Sequence, residues 1–472
     1  MASQSSVSRR SLLKKGAAAA VAGGAALVGG GSALAAQAAP QAGGSNLGPN
    51  VAGRKFKALV STGFGPNTTK LMDLTLLPIS GRQVVVQTEV SQCCYTMCAR
   101  VMGTQDPPDP LGPQAPVIVN DPNEPTIQGH GGVGTVLAVG PEVRRVQVGD
   151  RVIVPVTAQC GQCYQCLRGR ADRCQFGVGA KTVAIATMAN GTKVVQAGNI
   201  GGLANYMVAF EEAVVPVFTN APSIELAMLH CVSGCGLGMT MTLSPIEPGS
   251  NVAVYGLGPV GLSSIQGARI MGAAQIIGVD PVKASRDLAM KLGATAVLDP
   301  NVDKDWALVS KIRTMCKTPT DRIYAGGSYQ GANRAGIAGN IGPDYVIEAV
   351  GYDRFKPKVE AGPDPSGLQV LQQVWQTVPT GGHLCTCGVG HPTQMQVNFP
   401  IAQWTNGSRT HHSSQYGGTN SMREMPRYVK LIERGLFDAK SMITSKHTLD
   451  QVMEAYQAVA DRTTVTAMIT FA

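Results

Sequence analysis

The chain has 472 residues, 44% hydrophobic and 15% charged, which is too long for one ordinary core and rules out a tail, a fibre or wholesale disorder. Its 57 glycines and 29 prolines imply many turns but follow no collagen-like period. The net charge of +9 invites a polyanionic partner, yet Arg9, Arg10, Lys14 and Lys15 supply much of it and no basic run or aromatic-plus-basic stripe follows, so no nucleic acid is expected as partner.

Ser8-Arg9-Arg10-Ser11-Leu12-Leu13-Lys14 precedes an uncharged Ala/Gly-rich stretch over 16–39, with small-x-small sites at Ala33-Leu34-Ala35 and Ala36-Gln37-Ala38. Basic, apolar and cleavable regions in that order describe an export signal over 1–38. The paired arginines make it resemble a twin-arginine signal, whose export machinery reads the pair directly and moves folded cargo. The stretch is long enough to span a membrane, but its side chains are too small to partition strongly into lipid, so cleavage is expected rather than anchoring. A periplasmic or extracellular location follows, and residues 39–53 read as a linker.

Twelve cysteines in an exported protein would ordinarily pair as disulfides, but their spacing points elsewhere. Cys93, Cys94 and Cys98 crowd into one short segment, and a Pro-rich stretch over 106–123 follows that suits the wall of a substrate pocket. Next come Gly129-His130-Gly131-Gly132-Val133-Gly134 and Gly149-Asp150-Arg151-Val152. Cys160, Cys163, Cys166 and Cys174 then form C-x-x-C-x-x-C-x7-C, close enough for four thiolates to converge on one tetrahedral ion. Zinc with no open position is the expected occupant; the alternative is a pair of local disulfides, which the short spacings would strain. Cys231 and Cys235 lie farther on.

Asn251-Val252-Ala253-Val254-Tyr255 reads as a buried strand, followed by Gly256-Leu257-Gly258-Pro259-Val260-Gly261, an apolar helix through Met271, a second strand Ile276-Ile277-Gly278-Val279, and Asp280 at its end. Strand, glycine turn, helix, strand and acid in that order mark a dinucleotide site. Gly256, Gly258 and Gly261 let the backbone approach a pyrophosphate at the helix N-terminus, where Pro259 and Val260 open the first turn. Asp280 would accept from the ribose hydroxyls and repel a 2′-phosphate, which favours NAD. Tyr345-Val346-Ile347-Glu348-Ala349-Val350-Gly351 reads as a later strand, flanked by excursions over 317–343 and 352–378, the second ending in a helix over 368–378. A helix near Met425 to Arg434 and a strand Ala467-Met468-Ile469-Thr470-Phe471 close the chain.

From Lys55 to Phe471 these motifs resemble the zinc-dependent medium-chain alcohol dehydrogenases, whose structural zinc lobe has the same cysteine steps. The resemblance implies an α/β fold: a GroES-like β-rich catalytic domain (54–230, including the zinc lobe) split around a Rossmann doubly wound parallel sheet (231–415, with insertions), to which the chain returns over 416–472. It implies a second, catalytic zinc on Cys94, His130 and Cys231 with a fourth position left for water or substrate, and Thr96 passing a proton outward. Cys93 and Cys98 compete with Cys94, and Cys235 with Cys231; the default for those not used is an ordinary buried small residue. Two zinc ions, NAD, a small alcohol or aldehyde substrate and a homo-oligomer are therefore expected.

Three positions around the proposed catalytic zinc depart from the family pattern. Gly131 stands where an acid can reach the zinc, Met97 where a carboxylate orients the zinc histidine, and Ala99 where some members place a relay histidine, so metal retention needs compensation elsewhere. The 352–378 excursion is similar in place to an insertion of formaldehyde dehydrogenases and aldehyde dismutases that hold NAD(H) permanently, and a cover over the cofactor is expected. Thr466 stands where some members present an arginine to the pyrophosphate, and Tyr95 replaces a basic neighbour of the ligand cysteine, so retention would rest on enclosure. Beyond the cytoplasm there is no NAD pool, which points to a recycled cofactor serving aldehyde dismutation or an external electron acceptor. The alternatives are an ordinary NAD-exchanging dehydrogenase and a non-catalytic zinc-binding or redox-thiol protein on the same scaffold.

Overall fold

The computed structural model describes residues 48–103, 124–177, 180–316, 341–388, 401–414 and 416–471. The signal-like segment, the Pro-rich stretch over 106–123 and nearly all of the excursion over 317–343 lie outside those residues.

The first part is built of β1 (Lys55–Ser61), β2 (Thr69–Leu76), β3 (Gln83–Cys93), β4 (Thr126–Ile127), β5 (Gly132–Val139), β6 (Arg151–Val154), β7 (Ala186–Thr187), β8 (Lys193–Gln196), β9 (Tyr206–Phe210) and β10 (Val215–Pro216). β1, β2, β7, β8 and β4 close a small barrel. At its start β1 alternates, Lys55 exposed and Phe56 buried, as a half-buried strand must. β3 lies inside a second sheet, and its Val84, Val85 and Val86 are all buried because both faces are covered. Three short helices belong here: α1 (Tyr95–Met102), α2 (Tyr164–Leu167) and α3 (Ser223–Leu226).

After α4 (Val232–Gly238), β11 (Asn251–Tyr255), α5 (Pro259–Ile270), β12 (Gln275–Val279), α6 (Lys283–Leu292), β13 (Ala296–Leu298), α7 (Asp305–Met315), β14 (Tyr345–Glu348), β15 (His383–Thr386) and β16 (Thr410–Ser413) build an all-parallel sheet ordered β13-β12-β11-β14-β15-β16. Parallel pairing brings Gly256, Asp280 and Ala349 out at one edge, the carboxyl edge where such sheets bind ligands. The chain then returns. β17 (Ser445–Thr448) and β18 (Ala467–Thr470) extend the order β10-β6-β5-β3-β18-β17, with β18 antiparallel to β3 and Ala467 opposite Cys93. The fold is thus GroES-like plus Rossmann, as the sequence implied.

Two expected elements differ in extent. The strand expected through Gly351 stops at Glu348, whose carboxylate accepts the N–H groups of Val350 and Gly351 at 2.7 and 3.0 Å and turns the chain out of the sheet. The helix expected from Met425 begins at Ser421, where the Asn420 side chain accepts from Arg423 N, and it contains Pro426. Among the described residues no single helix is long and apolar enough to cross a membrane.

Candidate active site and metal centres

Cys94, His130 and Cys231 come from three elements: the N-cap of α1, the loop before β5 and the N-cap of α4. Their ligand atoms lie within 4.8 Å of one another. His130 presents Nε2, 3.6 Å from the Cys231 sulfur. The Cys94 thiol sits well below the usual range, first because it shares a hydrogen bond with Cys231 and also because His130 is near, while that same contact and burial push Cys231 up. Two neighbouring sulfurs cannot both ionise in a buried site unless a cation joins them, and a thiolate-imidazole set is borderline-soft chemistry that suits zinc. Thr96 Oγ1 lies 3.1 Å from Cys94 Sγ on an exposed residue. Cys93, Cys98 and Cys235 are buried outside this group.

The second cluster unites Cys160, Cys163, Cys166 and Cys174 around α2. The Cys160 sulfur accepts from Gln162 N at 3.4 Å and Cys163 N at 3.2 Å, and Cys160 N donates to Cys174 Sγ at 3.3 Å. Backbone N–H groups near Cys166 and Gln175 pull Cys163 down to about 6, whereas burial pushes Cys174 up to about 12. All twelve cysteines are free thiols, and the Cys160 and Cys166 sulfurs stand 4.0 Å apart, twice a disulfide length. Four convergent sulfurs with no other ligand fit a closed structural zinc.

The glycine turn divides its work among three residues. Gly256 has φ +86, and a Cβ on it would meet the Ala349 carbonyl carbon at 2.9 Å; a Cβ on Gly261 would drive into the Gly256 carbonyl; Gly258 faces open space at the N-cap of α5. That open position is where a pyrophosphate approaches a helix N-terminus, with Pro259 and Val260 in the first turn behind it. Asp280 accepts Leu257 N at 2.7 Å and Val282 N at 2.8 Å, one on each oxygen, so lone pairs remain for ribose hydroxyls. Burial raises the Asp280 pKa against those two bonds. These residues fit a dinucleotide.

From Gly351 to Gly367 the chain forms a strap across the carboxyl ends of β12 and β13. Lys283 N donates to Glu360 at 3.3 Å and Asn301 Nδ2 to Ala361 O at 3.0 Å. The strap also reaches the other part of the fold: Arg354 N donates to Tyr95 Oη at 2.8 Å, Lys358 pairs with Asp461 at 2.8 Å, and Asp353 pairs with Arg462. Burial opposes the Arg462 charge, but Asp353 and Tyr95 outweigh it and hold that charge firmly.

Motif reading missed four residues here. Arg462 supplies a half-buried cation close enough to act on Asp280, and Arg354 docks beside the candidate metal turn; both sit in irregular segments without a motif. Cys387, at the end of β15, hydrogen-bonds the Cys235 thiol one turn beyond Cys231 and so links the metal site to the carboxyl edge of the parallel sheet. His230, adjacent to Cys231, meets the His130 ring edge-on with centroids 5.7 Å apart, and burial followed by His130 pulls it down to about 3. The absent acids at 97 and 131 were its only sequence signal.

Comparison with known proteins agrees with this geometry. Residues 80–219 match the alcohol dehydrogenase GroES-like domain and residues 259–434 the zinc-binding dehydrogenase family, together more than half of the chain. The chain is 26% identical over 410 residues to the class-3 alcohol dehydrogenase of Cereibacter sphaeroides, covering 85% of this chain and 96% of the relative. It is 26% identical over 395 residues to the S-(hydroxymethyl)glutathione dehydrogenase of Paracoccus denitrificans, covering 82% and 92%. Its fold is similar to that of an alcohol dehydrogenase zinc-binding domain protein from Burkholderia ambifaria, with TM-score 0.71 and 23% identity over 89% of this chain and 99% of the other. With the donor trio, the four-sulfur lobe and the glycine cradle set on this scaffold, the chain belongs to the zinc-dependent medium-chain alcohol dehydrogenase superfamily and is an oxidoreductase of that type.

Proposed function

We propose that the chain is an exported enzyme that moves a hydride between a small alcohol or aldehyde and NAD, and that it retains this cofactor rather than exchanging it. The observation that carries the reading is the convergence of Cys94, His130 and Cys231, tied through Cys235 and Cys387 to the carboxyl edge of the parallel sheet. When bound, zinc supplies a Lewis acid that lowers the pKa of a substrate hydroxyl, and the nicotinamide supplies the hydride acceptor. Cys94, His130 and Cys231 would hold the one ion and leave a side open to substrate; Cys160, Cys163, Cys166 and Cys174 would hold a second with none open. Thr96 takes the hydroxyl proton and passes it toward solvent. Gly258 admits the pyrophosphate, while Asp280 accepts from the ribose and disfavours a 2′-phosphate.

Retention is supported by the strap, which anchors to both halves of the fold over the ends of β12 and β13. A second aldehyde, reduced to its alcohol, or an external electron acceptor would then reoxidise the cofactor in place. Export through the twin-arginine machinery is supported by the order of residues 8–38, and a homo-oligomer by likeness to the family. Denaturing the purified protein is expected to release about one NAD and two zinc ions per chain. A supernatant free of dinucleotide, with turnover dependent on added NAD, would establish exchange instead, and one zinc per chain would favour the non-catalytic scaffold. Unchanged turnover in both His130→Ala and Cys231→Ala would sink the site assignment.

A further inference from the structure

His130 points Nε2 at the two sulfurs. A neutral imidazole that offers one nitrogen to a metal carries its proton on the other, so Nδ1 of His130 becomes a donor. That Nδ1 is buried and has no hydrogen-bond partner. Ligand histidines ordinarily give this proton to a carboxylate, carbonyl or water, which fixes the ring and raises its basicity. Met97 and Gly131 flank the two ligand turns here and offer no acid.

His230 has the complementary need. Its Nδ1 meets the Ala227 carbonyl, which can only accept, so Nδ1 is protonated and Nε2 carries a lone pair. That Nε2 is likewise buried and unpartnered. The rings of His130 and His230 lie 5.7 Å apart, edge to face at 69°. His230 stands where a side chain at 131 would go: a Cβ on Gly131 would run into its Cδ2 and come within 2.8 Å of its Cγ. The loss of a side chain at 131 and the presence of this imidazole are therefore one feature, a buried donor and a buried acceptor brought into the same wall of the site.

We infer that His230 is the positioning residue of His130, accepting its Nδ1 proton through one bridging water in place of a carboxylate. The inference rests on the reading that Cys94, His130 and Cys231 hold a metal. It is tested on the full-length zinc-loaded protein by following metal release to a chromophoric chelator, together with the visible spectrum after cobalt replacement. In His230→Phe, which keeps a ring but no acceptor, one of the two ions is expected to leave about 10- to 100-fold faster, with a shifted cobalt spectrum, while the four-cysteine ion is unaffected. His230→Gln, whose carbonyl can accept, should recover most of the retention. Wild-type release and spectrum in His230→Phe, or equal losses in both variants, would overturn the inference and leave only ring packing. In zinc-loaded wild type carrying 15N-histidine, the His130 Nδ1 proton should be downfield and slow to exchange; fast exchange would overturn it whether or not the variants fold. A wild type holding a single zinc overturns the metal reading itself, whereas two zinc ions with an unaltered His230→Phe overturn this inference alone.

Discussion

The three glycines of the cofactor turn carry different loads, and substitution should separate them. Gly258→Ala adds a methyl into open space at a φ of −68°, so the protein is expected to melt like wild type. Its cofactor content should fall, because that methyl lies where the pyrophosphate approaches. Gly261→Ala forces a methyl onto the Gly256 carbonyl and is expected to cost about 3 kcal/mol in a urea titration. Equal melting of the two variants would contradict this division. At this scale the sequence was informative wherever spacing encodes geometry. The four lobe sulfurs meet around α2, and Gly256 and Asp280 share the carboxyl edge of the parallel sheet. Cys94 is the one the family resemblance implies, and of the three only Cys94 lies with His130 and Cys231, whereas Cys93 ends β3 and Cys98 is inside α1. His230 had no motif at all; its partner lies 100 residues away along the chain and meets it only through packing.

Elements are held at their ends by buried carboxylates. Glu348 accepts Val350 N, Gly351 N and Gly388 N at 2.7, 3.0 and 3.0 Å, gathering the loops after β14 and β15 around the carboxyl edge. Glu348→Ala strands three donors and is expected to cost about 3 kcal/mol, read from the urea midpoint, with weaker NAD binding in a titration. The far edge of the sheet carries a pH signature. His383 and His412 share a hydrogen bond at 3.5 Å, and burial, then His383 and Arg170, lower the His412 pKa. The folded state thus favours the neutral ring while the unfolded chain takes up a proton near pH 6.5, so this contribution is complete above about 6.5 and lost as pH falls below it. Thermal melts at stepped pH should show that decline in wild type and a flatter profile in His412→Asn. Hydrophobic runs such as residues 251–255 announced buried strands, but the extent of β14 did not follow from its apolar pattern, because the side chain of its last residue, Glu348, decides where it stops.

For the whole molecule, the lobe that holds Cys160 to Cys174 is coupled to the parallel sheet through a buried hydrogen bond from Ser414 to Asp172 at 3.0 Å. Inside it are only α2 and a short 3-10 turn, so much of its order is expected to depend on the ion. Treatment with a chelator should expose Arg168, Arg170 and Arg173 to trypsin first, and added zinc should restore protection; cleavage elsewhere at equal speed would contradict the lobe's dependence on an ion. The architecture as a whole was readable from the order of motifs, whereas the strap's anchoring to both halves was not, since its partners at Tyr95 and Asp461 lie at opposite ends of the chain. The closing strand has a temporal consequence. β18 must lie against β3 beside Cys93 before the wall behind the first metal ligand is complete. A nascent chain leaves the ribosome from its N-terminus, so β3 waits for that neighbour until the whole parallel sheet between them has been made, and pairing over such separation is slow. On the proposed metal reading, firm seating of the ion at Cys94 therefore waits until β18 has been made and has docked.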